Sequence, residues 1–289
     1  MIRCTSINSQ SQPRLLAPEA CRAEFPNMVS PHGAQSSIIF GNRLPSLRGH
    51  PGRRPAFILG YHNIGIPAKR ARNRSNYISS SLLRQQLRQL TKSAQPQCAL
   101  DEYLSREPRG DAGWSLTFDD GYSSLVEDGL TIFHETGAKA LVYLVAGQIG
   151  GSNIWDQNAG DLRLPLMSAG QVRTWLAEGH EIGSHSVTHP SLSRLSLENA
   201  RREMAESKAR LEQQFGVAIR HFCYPYGDWN PALRDLAQEV GYATAVTVEQ
   251  RAVSAEDSPW SLPRWMVYTH RFPWLANLRT RWAQRGNRA

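Results

Sequence analysis

Ala140-Leu141-Val142-Tyr143-Leu144-Val145 is an unbroken apolar run of strand length. A strand apolar on both faces must be covered on both, as parallel strands flanked by helices are. Similar units recur along the chain. Ala56 to His62 is a short apolar run, followed by Ser79 to Ser93 with Leu82, Leu83, Leu87 and Leu90 on one helical face. In Trp114 to Phe118, large apolar residues alternate with small polar ones, which is the period of a strand. Tyr122 to Thr136 then fits a helix with Leu125, Val126, Leu130 and Phe133 inward and Gly137 as its cap. After a loop over 146–167 that contains Trp155, Ser168 caps a helix to Glu178, and a strand begins at Glu181. Ser196 starts the longest helix, which ends at Gly216 before a strand from Val217 to Tyr224. Asn230-Pro231 opens a helix that Gly241 ends, with strands at Tyr242 to Val248 and Trp265 to Thr269. Six or seven such alternations predict an α/β fold around a parallel sheet. That many units in one domain suits a closed or nearly closed barrel. A doubly wound open sheet is the alternative, but no Gly-rich phosphate turn follows the first strand.

The 289 residues suffice for one large α/β domain or two small ones. Residues 1–52 are rich in Ser, Pro, Gln and Asn without periodicity and read as a flexible extension; 53–272 would form the barrel. The basic segment 273–289 would set Trp274, Leu275, Leu278 and Trp282 on one helical side. No apolar run approaches a membrane span, and Met1 to Asn27 holds no continuous apolar segment, so a cytoplasmic location is expected. Cys4, Cys21, Cys98 and Cys223 are scattered, which argues for neither a disulfide framework nor a thiolate zinc site. The net charge is +8, part of it in Lys69-Arg70-Ala71-Arg72-Asn73-Arg74 and in Arg279 to Arg288. This reads as a solvated basic face, or as peripheral attraction to a membrane or an anionic glycan. Without aromatic-rich strand motifs or finger spacing, no nucleic-acid partner is expected.

The strand at 114–118 runs into Asp119-Asp120-Gly121. Adjacent carboxylates resist joint ionisation, so a cation is expected beside them. The strand begun at Glu181 runs into Ser184-His185-Ser186-Val187-Thr188-His189-Pro190, with two imidazoles four residues apart. Asp-Asp-Gly alone is a common turn, and this His pair lacks the glutamate of H-E-x-x-H. Together, however, they fall at strand C-terminal ends, where barrels of this kind carry their sites. One carboxylate and two neutral imidazoles suit Zn²⁺ with open positions, and the same donors take Co²⁺ or Ni²⁺. Non-haem iron accepts a similar set. The spare carboxylate turns the reading toward hydrolysis, which needs a base for the attacking water.

With those residues in view, the chain from about Ala56 to Val267 resembles the polysaccharide deacetylases of the NodB-homology family, carbohydrate esterase family 4. Its T-F-D-D motif is Thr117-Phe118-Asp119-Asp120, and its H-[ST]-x-x-H motif is His185-Ser186-Val187-Thr188-His189. Its R-x-F-x-x-P-Y-G motif is Arg220-His221-Phe222-Cys223-Tyr224-Pro225-Tyr226-Gly227. The resemblance implies an incomplete barrel that removes N-acetyl groups from amino sugars of an oligo- or polysaccharide, with a divalent metal, foremost Zn²⁺. It implies Asp119 as general base, Asp120, His185 and His189 as metal ligands, and the Tyr226 backbone N–H as an oxyanion donor. Many members carry, where this chain has Cys223, an arginine that contacts the base; Arg264 resembles a position that takes over this support. Leu59-Gly60-Tyr61-His62 resembles the branch with its acid histidine on the first strand, which implies His62 as general acid, with His270 as the other candidate. O-acetyl esterase activity, a glycan-binding pseudoenzyme of the same fold, and a metal-dependent oxygenase are the alternatives.

Overall fold

The computed structural model describes residues 56–267 except 94, 101, 103–112 and 255, all within the compact unit Ser46–Ala289. The extension 1–52, the tail 273–289 and His270 lie outside the described residues.

The main strands are β1 (Ala56–Tyr61), β4 (Gly113–Phe118), β5 (Leu141–Leu144), β6 (Glu181–Ser184), β7 (His221–Cys223), β8 (Thr244–Val246) and β9 (Trp265–Met266). They form one parallel sheet in the order β8-β7-β6-β5-β4-β1-β9. Between its two ends only a parallel bridge joins Val246 to Leu262, ahead of β9. The sheet is therefore curled into an incomplete (β/α) barrel, as the resemblance implies, rather than the closed or nearly closed one that the alternating pattern suggests. Two further short strands, β2 (Asn63–Ile64) and β3 (Tyr77–Ile78), pair with each other beside it, and two-residue strands leave no periodicity to read.

The helices are α1 (Ser80–Thr91), α2 (Leu130–Thr136), α3 (Ile154–Asn158), α4 (Ala169–Ala177), α5 (Leu197–Phe215) and α6 (Pro231–Glu239). Several start where the sequence places a cap: the Ser79, Ser196 and Asn230 side chains accept the N–H of Leu82, Asn199 and Leu233. Ser168 and Gln171 make a reciprocal capping box at α4. The segment expected as one helix from Tyr122 instead opens with a wide π turn at Leu125–Gly129 before α2. Similarly, the strand expected over 217–224 is ordered as strand only at His221–Cys223.

Period-two alternation sorts the core into two clusters. Leu59, Trp114, Leu116, Phe118, Val142, Leu144 and Phe222 face the helices, where they meet Leu83, Phe133, Trp175, Met204 and Leu211. Ile58, Leu141, Tyr143, Cys223, Val246 and Leu262 face the barrel interior. The polar positions of β4 point inward as well and are buried: Ser115 Oγ donates to the Cys98 carbonyl, and Thr117 Oγ1 to that of Leu59 at 2.8 Å. Alternation here marks two buried faces of different polarity rather than a face turned to water. No helix among the described residues is long and apolar enough to cross a membrane.

At β6 the interior leaves no room for a side chain. A Cβ on Gly183 would stand 2.7 and 2.8 Å from the Tyr143 ring and 2.9 Å from the His221 carbonyl oxygen. Gly183→Ala is expected to destabilise the fold by about 1–3 kcal/mol through overpacking. Urea unfolding measures this, and an unchanged midpoint would show that the strand accommodates the methyl group.

Candidate active site

Asp119 and Asp120 leave the C-terminal end of β4. The Asp119 N–H donates to the Tyr61 carbonyl at 2.8 Å and keeps the residue in register with β1. Asp120 then adopts φ = 70°, the left-handed region that non-glycine residues rarely enter. The reversal sends the two carboxylates to different partners.

Asp119 meets Arg264. The guanidinium grips it with two contacts, Nη1 to Oδ1 at 2.7 Å and Nη2 to Oδ2 at 2.8 Å. Nη1 also donates to Thr117 Oγ1 at 3.1 Å, Nη2 to Cys223 Sγ at 3.1 Å, and Nε to the Thr247 carbonyl at 2.9 Å. All five N–H groups of a fully buried arginine thus have acceptors, as burial of that charge requires. Burial alone would raise the Asp119 pKa, but the Arg264 charge and its hydrogen bonds outweigh it and hold the carboxyl below its usual range. An ionised carboxylate has about four lone-pair sites, so the guanidinium fork leaves some free.

Asp120 meets the histidines. Its Oδ1 lies 3.5 Å from His185 Nε2 and 3.4 Å from His189 Nε2, and the two Nε2 atoms are 3.2 Å apart. His185 Nδ1 is 2.7 Å from the Cys223 carbonyl, which can only accept, so neutral His185 presents its Nε2 lone pair. Two imidazole nitrogens and a carboxylate facing one another this closely favour a positive charge among them: burial lowers the His185 pKa, but Cys223 and Asp120 together raise it well above the ordinary value. The spacings match ligand atoms that each stand about 2.0–2.1 Å from one zinc-sized ion. Burial opposes ionisation of Asp120, yet the two histidines hold its pKa well below the ordinary value. Burial, with the neighbouring His185, pushes His189 down, toward the neutral form a ligand needs. Asp119, His185 and Cys223 also cluster closely enough to hold an ion. There, however, the Arg264 guanidinium already lies against both Asp119 and Cys223. Among the described residues no lysine or arginine pairs with Asp120, so the donor set that fits a metal is Asp120, His185 and His189.

The remaining residues surround this pair of centres. His62, half-buried just after β1, lies close enough for its charge to favour ionisation of both carboxylates. Tyr226 has φ = 61° and packs its ring edge-on against His189, centroids 4.6 Å apart. Trp155, which the structure places on the short helix α3 rather than in a loop, stacks on the His189 ring with centroids 4.3 Å apart at 26°. Asp156 had no sequence signal. It accepts from the Tyr122 hydroxyl at 3.1 Å and from Asn73 Nδ2 at 3.2 Å. Burial, then the charge of Asp120, raises its pKa. Asp161 accepts the N–H groups of Arg72 and Asn73 at 2.9 and 2.8 Å, which pins the basic loop against the segment bearing Trp155.

A model of the polysaccharide deacetylase family matches residues 106–245, which span the Asp-Asp, His and third motifs. Over those residues the chain is similar to the polysaccharide deacetylases. The Bacillus subtilis protein YxkH is 27% identical over 149 residues, 52% of this chain and 49% of YxkH. The peptidoglycan-N-acetylglucosamine deacetylase PgdA of Listeria monocytogenes is 29% identical over 50% of this chain and 26% of PgdA. The chain therefore spans half or less of the curated relatives it matches first. Among solved structures, IcaB from Ammonifex degensii superposes with a TM-score of 0.66 at 22% identity, over 80% of this chain and 97% of IcaB, and so shares the fold.

In this barrel, removal of the Arg264 charge would strand a buried anion. Arg264→Met is expected to cost about 3–5 kcal/mol of stability at neutral pH. With the arginine present, the folded Asp119 pKa lies below the unfolded value of about 3.9, so its stabilisation holds above that pH and fades as pH falls further. In the variant burial acts unopposed by Arg264 and the folded pKa rises, so destabilisation grows as pH rises. The gap between the two proteins should therefore narrow on acidification. Unfolding at a series of pH values measures it, and a gap independent of pH would deny the pairing.

Proposed function

We propose that the chain is a metal-dependent hydrolase that removes N-acetyl groups from amino sugars of an oligo- or polysaccharide. The observation that carries this reading is the division of labour between adjacent carboxylates: Asp120 joins two histidines in a cation-binding set, while Asp119 is kept ionised by Arg264 and free of that set. The match to the polysaccharide deacetylase model over residues 106–245 and the printed activity of PgdA, a peptidoglycan-N-acetylglucosamine deacetylase, support the substrate class.

A divalent ion held by Asp120, His185 and His189, foremost Zn²⁺ with Co²⁺ or Ni²⁺ as alternatives, would supply Lewis acidity at the scissile amide. The chain's own groups do the rest. Asp119, ionised at neutral pH, accepts the proton of the attacking water. The backbone N–H of Tyr226, on a turn fixed in the left-handed region, donates to the oxyanion that develops on the carbonyl oxygen. His62 gives a proton to the departing amine, a task for an imidazole because Asp119 is held too acidic for it. Arg264 keeps the base charged and aimed. A glycan-binding protein without catalysis is the reading that Cys223 motivates, since an arginine stands there in many relatives. Arg264 brings a guanidinium to Asp119 all the same, and this favours the enzyme.

Mass spectrometry of N-acetylated glycans incubated with the zinc-loaded protein tests the activity, with loss of acetyl groups as the expected result. Asp119→Asn should lower acetate release by about 10²–10⁴-fold while the metal stays bound. His185→Ala should lose both. Turnover by the asparagine variant at the unmodified rate would overturn the assignment of the base, and full metal occupancy in the alanine variant that of the ligand.

A further inference from the structure

The turn Ser186–His189 is short and strained. Ser186 has φ = 64° and His189 has φ = 62°, and a non-glycine residue in the left-handed region persists only where its surroundings enforce it. What enforces it here can be followed group by group. The Ala146 and Gly147 N–H groups donate to the Ser186 and Val187 carbonyls at 3.0 and 2.9 Å. The His189 N–H donates to Ser186 Oγ at 3.0 Å. The two N–H groups at the centre of the turn both reach one side chain: Val187 and Thr188 donate to Glu203 Oε2 at 2.8 and 2.9 Å. The Thr188 hydroxyl completes the fork at Glu203 Oε1, 2.8 Å away.

Glu203 stands on α5, the longest helix among the described residues and one tied to the same frame as the histidines. Ala200, Met204, Ser207 and Leu211 bury its inner side, and Ser207 Oγ lies 2.6 Å from Ser184 Oγ, the residue before His185. One helix thus holds the strand that ends at His185 and, through Glu203, the turn that ends at His189. No lysine or arginine among the described residues pairs with Glu203, so its charge is directed at the turn, and hydrogen bonds to an ionised acceptor are about twice as strong as neutral ones.

We propose that Glu203 is a positioning residue for the metal centre. Through Val187 and Thr188 it fixes the turn that delivers His189 Nε2 to 3.4 Å from Asp120 and 3.2 Å from His185. This rests on the reading of Asp120, His185 and His189 as metal ligands. It differs from a purely stabilising role, because loosening the turn moves one ligand out of three and leaves the barrel intact.

The test is zinc affinity by competition with a chromophoric chelator, set beside thermal unfolding of the metal-free protein. Glu203→Ala should weaken zinc binding by about tenfold or more, the usual effect of removing a group that orients a ligand. Glu203→Gln should restore most of it, since its amide oxygen accepts both N–H groups and its NH₂ donates to the Thr188 hydroxyl. Glu203→Asp keeps the charge but withdraws it by a methylene and should remain weakened; it also serves should the alanine variant fail to fold. With zinc saturating, kcat of the alanine variant should return toward the unmodified value. A lowered unfolding midpoint with unchanged zinc affinity would overturn the proposal and leave the ligand assignment standing. An unmodified protein that binds no divalent ion would overturn both.

Discussion

Two adjacent buried carboxylates set the terms for everything around them. Unit charges about 4 Å apart repel by about 4 kcal/mol at an effective dielectric of ~20, and burial penalises each charge separately. The chain meets this by turning the backbone between them, with Asp120 in the left-handed region, and by giving each its own partners. Asp119 takes a guanidinium from the residue just ahead of edge strand β9, two strands away, and Asp120 takes two imidazole nitrogens within reach of a shared cation. Because the neighbours differ in kind, the carboxylates differ in chemistry although they are neighbours in sequence.

That solution explains features which look unrelated. A buried guanidinium needs five acceptors, so the barrel interior beneath the site is polar where the sequence suggests only a strand period: Thr117 Oγ1, the Thr247 carbonyl and Cys223 Sγ complete what Asp119 begins. The Tyr143 ring lies 5.6 Å from the same guanidinium and adds a π face to its surroundings. Cys223 and Arg264 are then two sides of one exchange. A thiol beside Asp119 leaves space for an arginine arriving from β9, and it accepts a hydrogen bond from that arginine. A second guanidinium at 223 would instead press like charges together.

Much of this was legible in the sequence. The alternation of strands and helices, the caps at Ser79, Ser168, Ser196 and Asn230, and the two chemical motifs all stand where local pattern placed them, since propensity and capping are local properties. The strand at 221–223 is shorter than its apolar run, because strand length is set by pairing with neighbours and not by hydropathy. The partnership of Arg264 with Asp119 spans 145 residues and no local rule reaches it; only the resemblance pointed there. Asp156, Tyr122 and Glu203 carried no signal at all. Each is an ordinary polar residue in sequence, and its part appears only when loops from different strand ends meet over one rim.

The two histidines are oriented by different forces, and the difference ties ligand geometry to the shape of the cleft. His185 is fixed by a hydrogen bond from Nδ1 to a carbonyl of the neighbouring strand, inside the barrel. His189 Nδ1 is buried without a protein partner, and its ring is held by Trp155 on one side and the edge-on, half-exposed Tyr226 on another. Stacking fixes the plane of a ring but resists rotation within that plane less than a hydrogen bond does. The backbone turn must therefore supply the accuracy that the ring contacts do not. Trp155 and Tyr226 cover His189, and the segment bearing Trp155 is pinned to the basic loop through Asp156 and Asp161. A change in either segment is thus felt at His189, the proposed ligand, before it is felt at Asp119, the proposed base, which is held by Arg264.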